Sequence, residues 1–95
     1  MSTVNVERPH QLSVEDARAA IDRLGADLKD KYGMKLEWSG DRAKLVGTGA
    51  SGEIKVEPNR VVITVKLGML ARAAGVKPDK VHASIDKRLV AALQG

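Results

Sequence analysis

Ninety-five residues, 43% of them apolar and 29% charged, with a net charge of +4, suffice for one core and leave no material for a second domain. The absence of cysteine excludes disulfides, thiolate zinc sites and cysteine nucleophiles, and one Trp, one Tyr and no Phe leave a core of Val, Leu, Ile and Ala with little surplus for a large cavity. Charge is uneven, with six basic and seven acidic side chains in residues 1–40 against ten and five in residues 41–95, so the C-terminal part is the one compatible with an anionic partner.

Thr3 to Glu7 alternates, with Val4 and Val6 on one side, and reads as a short strand. Pro9 has no N–H to donate and pushes Arg8 toward extended geometry, so pairing should stop there. Ser13 can cap a helix, with Asp16 as the acidic half of a capping box and Leu12 as the residue that staples back onto the first turn. In that helix Ala17, Ile21, Leu24, Leu28 and Tyr32 form one apolar stripe. Lys29 and Lys31 suit its last turn, and Gly33 suits a left-handed C-terminal residue.

The period then changes to two. Met34, Leu36 and Trp38 alternate with Lys35, Glu37 and Ser39, and Gly40-Asp41 marks a turn. Ala43 and Leu45 alternate with Arg42 and Lys44, and Ile54 and Val56 with Glu53, Lys55 and Glu57. After a turn at Pro58-Asn59, Val61, Ile63, Val65 and Leu67 alternate with Val62, Thr64 and Lys66. Residues 68–74 are expected to form a short helical turn ending at Gly75, and Pro78 suits the first position of a last helix with Val81, Ile85, Leu89 and Ala92 as its stripe and Val90 on the opposite side. The expected fold is a single α+β domain over residues 1–95, β-α-β-β-β-β-α, a two-layer arrangement with helices on the aliphatic face of an antiparallel sheet.

Gly47-Thr48-Gly49-Ala50-Ser51-Gly52 spells G-x-G-x-x-G, yet a strand follows it where a dinucleotide site needs a helix, so a hairpin bend or bulge is the better reading. His82 and Asp86 are an i,i+4 surface pair with Ser84 pointing elsewhere, and no oxyanion-hole donor is evident, so no catalytic constellation is assigned. His10, His82 and the scattered carboxylates show no paired ligand spacing, and neither metal nor cofactor is expected. The basic C-terminal third could meet phosphates, but it lacks interleaved aromatics and is interrupted by Asp79 and Asp86, which argues against nucleic acid. No apolar run approaches the ~20 residues of a membrane span. The first residues have neither the basic nor the apolar segment of a secretion signal, so a cytoplasmic location is expected.

Arg8-Pro9-His10-Gln11-Leu12-Ser13-Val14-Glu15-Asp16-Ala17 resembles the opening motif R-P-H-x-L-S-x-E-x-A of the polyhydroxyalkanoic acid system protein family. Gly49 to Val56 is similar to the family's G-x-S-G approach to a strand, Val65 to Leu70 to its segment leaving the last strand, and Ile85 to Leu89 to its final helix. The resemblance implies a non-enzymatic accessory protein of polyhydroxyalkanoate storage, granule-associated, acting by docking to a granule protein or to the polyester surface. A sheet face or the last helix would make the contact. Candidate contact residues are Arg8 and His10, whose roles the helix cap does not explain, Trp38, the Met69-Leu70 corner, and Val90. Val90 and unpaired edge strands are also compatible with a homodimer. The alternative from another class is a binder of small apolar ligands such as acyl chains, motivated by Trp38 beside Met34 and Met69, and the second alternative is a nucleic-acid-binding module resting on the basic C-terminal third.

Overall fold

Strands β1 (Ser2–Pro9), β2 (Lys35–Ser39), β3 (Arg42–Gly47), β4 (Ala50–Val56) and β5 (Arg60–Leu67) and helices α1 (Val14–Tyr32) and α2 (Pro78–Leu93) make up the chain in the order β1-α1-β2-β3-β4-β5-α2. This computed structural model describes residues 2–47, 50–68, 75 and 77–94, the side chains of Ser2 and Tyr32 excepted. The turn expected over residues 68–74, with Met69 and Leu70, lies outside the described residues save for Gly68, as do Thr48 and Gly49 of the glycine-rich hairpin.

The start of α1 follows its sequence signal. Ser13 is extended, with φ −64° and ψ 160°, and its side chain accepts from the Asp16 N–H at 3.1 Å. At the other end Gly33 adopts φ 67°, a conformation that costs a side chain steric strain, and its N–H reaches the Lys29 carbonyl at 2.9 Å. The turn back is therefore tight, and β2 begins two residues later.

The sheet is wholly antiparallel in the order β1-β5-β4-β3-β2. Strands β2 to β5 form a meander, and β1 closes the far side by pairing along β5 from Ser2↔Leu67 to Pro9↔Arg60. Pro9 occupies the last pair of an edge strand, where a missing N–H costs least. One difference from the sequence reading concerns β4, which begins at Ala50 rather than near Glu53. Ala50, Ser51 and Gly52 find backbone partners on both sides, Gly47, Val46 and Leu45 on β3 and Leu67, Lys66 and Val65 on β5. Ladder pairing on two edges outweighs the low strand propensity of this glycine-containing stretch. Gly52 is fixed by crowding: a Cβ there would collide with the Thr64 carbonyl oxygen and stand 3.2 Å from the Val65 Cα.

Both helices lie on the inner face. Ala17, Ile21, Leu24 and Leu28 of α1 and Val81, Ile85 and Leu89 of α2 are buried against Val4 and Val6 of β1, Ala43 and Leu45 of β3, Ile54 and Val56 of β4, and Val61, Ile63, Val65 and Leu67 of β5. Each fully buried Leu, Ile or Val contributes about 1.5–3 kcal/mol of transfer free energy. The outer face carries Thr3, Asn5 and Glu7, Val62, Thr64 and Lys66, Ser51, Glu53 and Lys55, Arg42, Lys44 and Val46, and Lys35, Glu37 and Ser39, and neither described helix packs on it. This is the two-layer α+β arrangement that the alternation implies.

Candidate functional site

Arg8 and His10, the two motif residues that the cap leaves unexplained, prove to be fasteners. Pairing with Val61 puts Arg8 on the inner face of β1, beneath α2. Its guanidinium grips Asp86 of α2 through two bonds, Nε to Oδ1 at 2.6 Å and Nη2 to Oδ2 at 2.7 Å. These hydrogen bonds, reinforced by charge attraction, hold the Asp86 carboxyl below the ordinary carboxylate range and raise the Arg8 pKa. His10 is buried at 9% exposure. Its Nδ1 accepts from the Leu12 N–H at 3.1 Å, and its Nε2 lies 2.7 Å from the Glu57 carbonyl oxygen. An Nδ1 that accepts and an Nε2 that donates define the neutral ring with its proton on Nε2. The His10 N–H also reaches the Asn59 carbonyl at 3.0 Å. The imidazole thus ties the connection between β1 and α1 to the turn between β4 and β5.

Beside it Arg60 bonds Glu57 and, at 2.7 Å, Glu7. The hydrogen bond from Arg60 lowers the Glu57 pKa, and the bonds to Glu57 and then Glu7 raise that of Arg60. Arg8, His10, Glu57 and Arg60 therefore spend their polar groups on holding one end of the sheet together.

Trp38 is half-buried between β2 and α1, not fully in the core. Its Nε1–H donates to Asp22 Oδ1 at 2.5 Å, and the Arg18 guanidinium sits 4.8 Å from the ring centroid. Two charged residues of one helix face fix the indole, a role the alternation of β2 cannot reveal. Val90 is half-buried on α2. In the His82, Ser84 and Asp86 group, Asp86 is engaged by Arg8, and Ser84 accepts through its hydroxyl from Arg88. Among the described residues no three His, Asp or Glu side chains gather around one point. None of the described helices is long and apolar enough to cross a membrane.

The surface feature that sequence reasoning passed over is Val46, which stands 47% exposed on the outer face. A shallow depression of about 510 Å³ runs past it, lined by Lys44, Val46, Lys55, Val62 and Lys66 among others. Three antiparallel rows build this face. Glu7, Val62, Lys55, Arg42 and Ser39 form one, Asn5, Thr64, Glu53, Lys44 and Glu37 the next, and Thr3, Lys66, Ser51, Val46 and Lys35 the third. Glu53 is paired with Arg42 at 3.8 Å, and Thr64 Oγ1 donates to Asn5 Oδ1 at 3.0 Å. A legible signal was present: β3 alternates faithfully until Leu45-Val46, where an apolar residue occupies a solvent-face position.

Fold and surface together define a small α+β domain that covers one sheet face with helices and presents the other, predominantly basic with Val46 exposed on it, to the exterior. A family model described as "Putative polyhydroxyalkanoic acid system protein" matches residues 4–93, and the chain belongs to that family. Among solved structures it is similar to the NMR structure of PA4090 from Pseudomonas aeruginosa, with a TM-score of 0.50 and 14% identity over 94% of this chain and 84% of that one. This likeness concerns the fold alone. It is also similar to the crystal structure of TTHA0849 from Thermus thermophilus, with a TM-score of 0.39 and 18% identity over 96% of this chain and 99% of that one. No curated protein matches the chain.

Proposed function

We propose that this protein is a non-enzymatic accessory protein of polyhydroxyalkanoate storage that docks, in the cytoplasm, to the polyester granule or to a protein on it. The docking surface is the open outer face of the sheet. The observation that carries this reading is Val46, exposed beside a depression lined by Lys44, Lys55 and Lys66 on a face that no described helix covers. Lysine stems lie along apolar surface while their ammonium groups remain free to donate, so such a face suits a boundary that is partly aliphatic and partly ester carbonyl. Membership of the family supplies the context. Neither Met69-Leu70 nor Val90 is needed for this contact.

The test is co-sedimentation of the purified protein with polyester granules, beside an unrelated basic protein of similar size. Enrichment over that control, reduced several-fold by Val46→Asp, is the expected result. Equal recovery of the two proteins would count against docking.

A further inference from the structure

Strand β2 is an edge: one side pairs with β3, and no strand among the described residues pairs with the other. Beside that free side runs a groove of about 390 Å³, walled by Asp22, Gly25, Ala26 and Lys29 of α1 and by Met34, Lys35 and Leu36. An uncovered edge is a template for another strand. We propose that a second copy of this chain occupies it, with β2 pairing antiparallel to the second β2 about a twofold axis through Leu36.

Charge complementarity selects both the occupant and the register. Residues directly opposite in an antiparallel pair have their Cβ atoms about 4.5–5.5 Å apart. With the axis at Leu36, Lys35 stands opposite the second copy's Glu37, and Glu37 opposite its Lys35, so two ion pairs form on the outer face. Leu36 meets its own equivalent on the inner face. Moving the axis by one residue to Lys35 or to Glu37 sets two like charges against each other. Only the Leu36 register satisfies both residues of the strand.

The helix beside the strand obeys the same axis. Gly25 lies at the level of Leu36, since a Cβ on Gly25 would fall 2.8 Å from Leu36 Cδ2. Asp22 lies toward Trp38, which it bonds at 2.5 Å, and Lys29 lies toward Met34 on the other side of Gly25. A twofold axis through Leu36 therefore passes close to Ala26, exposed on α1, whose small side chain lets two helices approach, while the buried Gly25 makes room for Leu36 of its own chain. It also turns Asp22 toward the second copy's Lys29. The axis is normal to the sheet, so both outer faces, each with its Val46, lie on one side of a continuous ten-stranded sheet.

Five strand residues and part of one helix make a small interface, so the dimer is weak and concentration-dependent. Sedimentation velocity over roughly 10 µM to 1 mM is the assay. The wild type is expected to pass from monomer to dimer across this range. Lys35→Glu alone and Glu37→Lys alone should each remain monomeric, because each sets like charges opposite one another. Mixed in equal amounts they should form a heterodimer, and the double variant K35E/E37K should dimerise as the wild type does. Amide hydrogen exchange in β2 should slow as concentration rises. A wild type that stays monomeric throughout overturns the proposal, and so does a dimer indifferent to both single substitutions.

Discussion

Replacing His10 by Ala offers the sharpest test of the claim that the Arg-Pro-His segment is architectural. The substitution removes the acceptor of the Leu12 N–H and the donor to the Glu57 carbonyl, bonds of 3.1 and 2.7 Å. A buried polar group left without a partner costs about 1–3 kcal/mol. The site is 9% exposed and opens further when the ring is removed, so water reaches both groups and the lower part of that range applies to each. The sum is roughly 2–3 kcal/mol, which in a domain of this size lowers Tm by about 10–20 °C. His10→Asn separates the two bonds. Its amide oxygen can take the Leu12 N–H, as Asx side chains do two residues ahead, while the Glu57 carbonyl stays unmet, so about half the loss is expected. Urea unfolding followed by circular dichroism and by Trp38 fluorescence measures both variants. A His10→Ala protein within about 0.5 kcal/mol of wild type would refute the reasoning, because that is the range of surface substitutions without a structural role.

The Arg8–Asp86 clamp makes a signed prediction in acid. The Asp86 carboxyl titrates below its ordinary value in the folded chain, so the folded state holds fewer protons than the unfolded state there. Its contribution is present above the unfolded carboxylate pKa of ~3.9 and is lost as pH falls through the lower folded value. Asp86→Asn should flatten the acid side of the stability–pH curve measured by urea midpoints, and an unchanged slope would contradict the clamp. Gly52→Ala should destabilise by about 2 kcal/mol or more in the same assay, because the added methyl meets the backbone of β5 rather than a yielding side chain. Trp38→Phe removes the bond to Asp22 and weakens the Arg18 contact, and should cost roughly 1–2 kcal/mol.

Strand alternation from Lys35 to Leu67 and the helix period from Ala17 to Leu28 made the architecture legible, since each apolar residue at an inward position of those patterns is one that the fold buries or half-buries. Ser13 and Gly33 marked the ends of α1 because caps are local chemistry. What the sequence withheld is non-local. Arg8 and Asp86 stand 78 positions apart, and no pattern announces that β1 returns beside β5 to bring them together. His10 and Glu57, 47 apart, meet for the same reason. The beginning of β4 was hidden because Gly52 reads as a bend, whereas the neighbouring Thr64 and Val65 backbone needs the missing side chain. Val46 was passed over although the alternation of β3 already sets it on the solvent face; what required the register is its neighbours there, Ser51 of β4 and Lys35 of β2.

Granule binding compared across the two faces of the domain tests the docking account most directly. Bound fractions of wild type, Val46→Asp on the outer face, and Ala91→Asp on the exposed surface of α2 should be measured on the same granules at matched salt. The account predicts that Val46→Asp lowers binding several-fold while Ala91→Asp binds as wild type does. Equal binding by all three, or a loss confined to Ala91→Asp, would contradict it.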